Sequence, residues 1–107
     1  MEAYRNAKVI FDVPKGGYKT VPLSMTNLYV DATFKVEVNA ARWARSTGGT
    51  VKLMETPWAL HNMSYTTLAA IANANRDSNE FEVWVCDDNK GLEIRSPLKT
   101  ATKVIIR

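Results

Sequence analysis

The run LYVDATFKVEV, residues 28–38, alternates apolar and polar side chains. Val30, Ala32, Phe34, Val36 and Val38 fall on one side, and Asp31, Thr33, Lys35 and Glu37 on the other. A period of two is the mark of a strand with one face buried, whereas a helix would scatter those residues around its axis. The β-branched content agrees with a strand. This feature commits the chain to a half-buried sheet, so the remaining segments are read for how they would complete it.

AKVIFDV, residues 7–13, repeats the pattern, with Val9, Phe11 and Val13 opposite Lys8, Ile10 and Asp12. Pro14-Lys15-Gly16-Gly17 is a turn by composition, and residues 18–25 read as a second strand, giving an N-terminal hairpin. Pro22 has no N–H for a ladder, which places that strand at an edge or breaks it. Residues 50–56 form a further strand with Val51 and Leu53 on one face. Phe81, Val83 and Val85 alternate with Glu82 and Trp84. Asp87–Gly91 is a turn in which Gly91 would take the left-handed position. LEIRS is the return strand and TATKVIIR a closing one.

Two segments break the alternation. Asn39 can cap a short helix over about 39–46, which Gly48-Gly49 ends. Asn62 or Ser64 can cap a longer one over about 63–74, where Leu68, Ile71, Ala72 and Asn75 share a stripe and Ala69 and Ala70 allow close packing. Strand runs broken by isolated helices predict an α+β fold. The expected arrangement is a mostly antiparallel sheet of six or seven strands, with the 63–74 helix packed on one face. A length of 107 residues fits a single domain, 1–107.

Composition narrows the function classes. One cysteine, Cys86, excludes an internal disulfide. No apolar run approaches the ~20 residues of a membrane span. The opening MEAYRNAKVIFDV has no apolar core or cleavage site of a signal peptide, so a cytoplasmic or virion location is expected. The net charge of +3 is too small to argue for nucleic acid by itself. Its distribution says more. Asp77, Glu80, Glu82, Asp87, Asp88 and Glu93 stand against Lys90 alone, and Arg95, Lys99, Lys103 and Arg107 follow with no acid among them. Such segregation either pairs internally or presents two faces to neighbours.

Reactive chemistry is sparse. His61 is the only histidine and reads as a loop residue before a helix cap. A Cys86–His61 pair would place the thiol beside Asp87 and Asp88, whose charge raises a thiol pKa. One His and one Cys cannot make a zinc site of usual spacing. Asp87, Asp88, Asn89 and Glu93 offer oxygen ligands without the calcium-loop pattern, and the glycine pairs lack a following Lys-Ser/Thr. No catalytic residue, metal, cofactor or small-molecule substrate is therefore expected.

Binding surfaces are the stronger signal. Ile10, Trp84 and Ile105 lie on the polar side of their strands and form a candidate protein-contact surface. Arg42, Trp43 and Arg45, together with Lys99, Lys103 and Arg107, form a candidate contact for nucleic acid or an acidic partner. Two bland readings stand beside this one: Trp43 packs in the core with its arginines in water, and the C-terminal cations guard an edge strand. The reading that follows is a non-enzymatic structural or interaction protein that docks on a larger assembly or on copies of itself. A phage or viral virion component, such as a capsid decoration or connector subunit, is its specific form. A small nucleic-acid-binding module and a protein inhibitor of a host enzyme are the alternatives.

Overall fold

In a computed structural model, residues 8–24, 33–58, 60 and 64–97 are described. Their elements are β1 (Lys8–Asp12), β2 (Leu23–Ser24), β3 (Lys35–Asn39), α1 (Ala41–Ser46), β4 (Gly49–Glu55), α2 (Tyr65–Ala74), β5 (Glu82–Val85) and β6 (Gly91–Ser96). The fold is α+β, but its strands form two sheets of mixed direction. β1 pairs with β3 in parallel, and a second sheet runs β2-β4-β6-β5. Within that sheet β2 is parallel to β4, while β4 and β5 are antiparallel to β6. A mostly antiparallel sheet is thus only half right.

The expected N-terminal hairpin does not form. The turn is present, closed by Gly17 N–H donating to the Pro14 carbonyl at 2.8 Å. Gly17, however, takes φ +85, and a Cβ there would meet Val51 Cγ2 at 3.0 Å and Trp43 Nε1 at 3.4 Å, so only glycine fits this close approach to the core. β2 starts only after Pro22 and pairs with Met54 and Glu55 of β4. β1 instead sets Val9 opposite Val36 and Phe11 opposite Val38. Phe11, Val36 and Val38 are buried and Val9 packs on them, so both strands turn their apolar row to one core. The outward row is Lys8, Ile10 and Asp12 beside Lys35, Glu37 and Asn39.

The four-stranded sheet also buries one face. Leu53, Met54, Val83, Leu92 and Ile94 point inward and meet Leu68, Ala69 and Ala72 of α2 and Trp43 and Ala44 of α1 in one core cluster. Leu53 and Met54 are neighbours yet both buried, because a β-bulge shifts the β4–β6 register between Lys52 and Met54. An extra residue on one strand re-aims the side chains after it.

The helix ends are held by side chains. Ser64 caps α2, accepting from the Thr67 N–H at 3.2 Å. Tyr65 in its first turn is buried, and its hydroxyl lies 2.8 Å from Thr56 Oγ1. Thr56 donates its only proton to the Trp58 carbonyl, so Tyr65 is the donor of that pair. Burial holds the Tyr65 hydroxyl above its ordinary pKa. For α1, Asn39 is not the cap. Its amide donates to Asp12, while the Asp77 carboxylate accepts from the Ala40 and Ala41 N–H groups at 3.0 and 3.1 Å. In the β5–β6 turn, Asn89, not Gly91, takes the positive φ of 61.

The end of α2 closes the outer edge of β5. Asn73 Nδ2 donates to the Val83 carbonyl at 2.9 Å and its Oδ1 accepts the Val83 N–H at 2.8 Å. Arg76 Nη1 donates to the Phe81 carbonyl at 2.6 Å. One amide side chain thus supplies the donor and acceptor that a neighbouring strand would offer.

Candidate protein-contact surface

The outer face of the four-stranded sheet is built by register. β5 contributes Glu82 and Trp84, β6 contributes Glu93 and Arg95, and β4 contributes Thr50 and Lys52. Glu82 stands opposite Arg95 and Trp84 opposite Glu93, and Thr50 and Lys52 oppose the same two β6 residues on the other side. The rows alternate in charge across the strands, with a single indole among them. Trp84 is 46% exposed.

Arg95 fixes that indole. Its guanidinium carbon lies 4.6 Å from the Trp84 ring centroid. Its Nε donates to Glu93 Oε2 at 2.6 Å, and Nη2 reaches Asp87 Oδ1 at 3.4 Å. The Glu93 hydrogen bond raises the Arg95 pKa further, so the cation is permanent. A guanidinium held by two carboxylates over a ring face orients the ring without covering it.

At the end of this face where β5 begins and β6 ends, an open hollow of about 840 Å³ is lined by Trp84, Arg95, Glu80, Glu82, Thr50 and Pro97, among others. Its wall is mixed in character. Glu80 accepts from Arg45 Nε at 2.7 Å, whereas Glu82 makes no ion pair among the described residues.

Burial, reinforced by Glu93, pushes the Cys86 thiol up to about 12, so it stays neutral and unreactive near neutral pH. Among the described residues no group of three or more His, Cys, Asp and Glu side chains could hold a metal ion. The acidic turn uses its own groups, with Asp88 accepting from the Lys90 N–H at 2.9 Å. No helix among the described residues is long and apolar enough to cross a membrane.

The candidate residues are dispersed. Ile10 is 51% exposed, but on β1 of the other sheet, so it does not belong to the Trp84 face. The Arg42–Trp43–Arg45 constellation is corrected: Trp43 is 0% exposed at the centre of the core and cannot stack on a base. Its Nε1 has no hydrogen-bond partner among the described residues. Arg42 is exposed on α1, and Arg45 is engaged by Glu80. Ile105, Lys99, Lys103 and Arg107, and likewise His61, lie outside the described residues.

Two residues escaped the sequence reading. Trp58 is 60% exposed just after β4, and no periodic signal marks it. Arg95 was readable in principle. Folding residues 81–96 about the Asp87–Lys90 turn with period two puts Glu93 across from Trp84 and Arg95 on its diagonal. No family model matches the chain, and neither a curated protein nor a solved structure matches it.

Proposed function

We propose that this protein is a non-enzymatic interaction module that binds a protein partner, in a larger assembly or in a second copy of itself, through the outer face of its four-stranded sheet. The carrying observation is Trp84: a half-exposed indole, pre-oriented under Arg95, with Glu93 opposite it on β6 and Glu82 beside it on the same face of β5. Tryptophan and arginine dominate the energetics of protein interfaces, and charged surroundings supply a polar rim. A ring already held in place loses little freedom when a partner covers it. Burial of Trp43 and capture of Arg45 by Glu80 favour this reading over a nucleic-acid platform.

The test begins with light scattering and mass spectrometry of the protein isolated from its native source, followed by titration of the co-purified partner or by sedimentation equilibrium for self-association. Trp84→Ala is expected to weaken the association by at least about 30-fold, the effect of a 2 kcal/mol hot spot. The unfolding midpoint should stay near that of the wild type. A lone monomer with no stoichiometric companion refutes the proposal, as does a companion that binds the Trp84→Ala variant equally well.

A further inference from the structure

We infer that the partner docking on the Trp84 face is a different protein that brings a lysine or arginine side chain to Glu82, its aliphatic stem laid along the indole. The inference rests on the docking reading and names the chemistry of the partner. Its first support is charge. Beside Trp84 one guanidinium stands among three carboxylates: Arg95 pairs with Glu93 at 2.6 Å and Asp87 at 3.4 Å and faces Glu82 across the strands. The excess is negative. Neighbouring cations do not offset it, because Lys52 is held by Glu55 at 3.3 Å and Arg45 by Glu80 at 2.7 Å. The adjoining turn adds one charge of each sign, Asp88 and Lys90. The whole chain carries +3, so the patch opposes the sign of the molecule around it and selects a cation. A second copy docked by the same face would set this excess against itself, since a two-fold contact pairs a surface with its own likeness.

The second support is the hydrogen bonding of the hollow. Arg95 is engaged by its two carboxylates, and the Ser96 hydroxyl donates to the Glu80 carbonyl at 2.7 Å. The wall also carries Glu82, Asn79 and Thr50, whose side chains make no hydrogen bond among the described residues. Each offers an acceptor oxygen, and the charged one is the Glu82 carboxylate. Ammonium and guanidinium groups are donors only and match this set. A phosphate or carboxylate would instead meet Glu82, with no unengaged cation among the described residues of the wall.

The third support is reach. Glu82 and Trp84 lie two residues apart on one face of β5, about 7 Å along the strand. A lysine or arginine side chain covers that span, packing its methylene groups on the indole while its head reaches the carboxylate. Arg95 does not oppose it, because Glu93 and Asp87 more than balance its charge. The hollow, about 840 Å³, also takes the apolar neighbours of that side chain in a short segment.

Titration of the ¹⁵N-labelled full-length chain with blocked tetrapeptides tests the chemistry directly. The probes are acetyl-Gly-Leu-Lys-Gly-amide and its counterparts with norleucine or glutamate in place of lysine, and a Trp84→Phe spectrum assigns the indole N–H. The lysine peptide is expected to shift the Trp84 indole and the Glu82 amide with a Kd on the order of millimolar. It should bind at least about threefold tighter than the norleucine peptide, and Glu82→Gln should remove that advantage, as an exposed ion pair requires. On a co-purified companion, Trp84→Ala reports docking and Glu82→Gln reports its chemistry, with a loss of about threefold or more expected from the second. A companion released by Trp84→Ala but held equally by Glu82→Gln leaves docking intact and overturns the inference alone. A lysine peptide that moves neither resonance, or binds no better than the glutamate one, does the same. Self-association as the sole contact overturns the choice of a different protein, and absence of any companion overturns docking and the inference together.

Discussion

Gly91 opens β6 opposite Glu55, just beyond the β4 bulge, and substituting it tests how tightly that junction is packed. A Cβ built at Gly91 falls closer to the Met54 carbonyl oxygen than the 3.0 Å that such atoms keep, with Cys86 Sγ at 3.2 Å and the Glu55 Cα at 3.4 Å. The main obstruction is backbone, and that backbone belongs to a residue 1% exposed in the core. No rotamer change relieves it, so β4 and β6 must separate locally. The neighbouring bonds from Thr56 N–H to the Lys90 carbonyl and from Cys86 N–H to the Gly91 carbonyl are strained with it. Overpacking of this kind costs about 1–3 kcal/mol. Backbone obstruction places Gly91→Ala at the upper end, about 3 kcal/mol. For a domain of this length that lowers Tm by about 12 °C. Urea unfolding followed by circular dichroism should show a lower midpoint at unchanged slope. Gly16→Ala is the internal control. Nothing lies within 4 Å of its Cβ and its φ is not left-handed, so it should be neutral or stabilise by about 0.5 kcal/mol. The reasoning fails if Gly91→Ala stays within about 0.5 kcal/mol of wild type or if Gly16→Ala is equally harmful.

Two further perturbations follow from the same packing. Asn73→Leu removes both bonds to Val83; it should cost about 1–3 kcal/mol and make sedimentation velocity concentration-dependent, as the uncovered β5 edge recruits another chain. Cys86, raised from 9.0 to about 12 in the folded chain, favours folding while the thiol is neutral, and this contribution is complete below pH 9. It is lost as pH rises from 9 toward 12, because the unfolded thiol ionises first. Urea midpoints measured across that window should fall with pH in the wild type and fall less in Cys86→Ala.

What could be read from the sequence was the local period, and what could not was the choice of partner. β3 and the β5–β6 hairpin follow from alternation, and α2 from its Leu68–Ala72 stripe with Ser64 before it, because neighbours in sequence decide those elements. Nothing local tells β1 to lie parallel to β3 instead of folding onto residues 18–25. That outcome is decided by burial of Phe11 beside Val36 and Val38 in one core, partners about 25 residues away in sequence. The α1 cap is equally non-local, since Asp77 arrives from beyond α2 to do what Asn39 beside the helix was expected to do. Trp43 illustrates a real ambiguity: a helix of six residues has too few positions to define a stripe, so Arg-Trp-Ala-Arg fits a buried indole as well as an exposed one. For the site, period two turned Trp84 outward correctly, but the guanidinium above it required the register of the adjoining strand.

The closed edge bears on how a partner would bind. A sheet recruits another chain either through its edge, by main-chain hydrogen bonds, or through its face, by side chains. Here the β5 edge is occupied at Val83 by both ends of the Asn73 amide and at Phe81 by Arg76. Strand addition at the β5 edge would have to displace three hydrogen bonds to gain a similar number. The outer face has no such obligation: Trp84 gives up only water when covered, and Arg95 keeps its carboxylates as it does so. Association through the face therefore depends on the identity of side chains, above all one indole, whereas association through an edge would tolerate almost any residue there. Loss of binding in Trp84→Ala with binding no tighter than wild type in Asn73→Leu is the pattern that face docking requires; undiminished binding in Trp84→Ala with tighter binding in Asn73→Leu would transfer the contact to the edge.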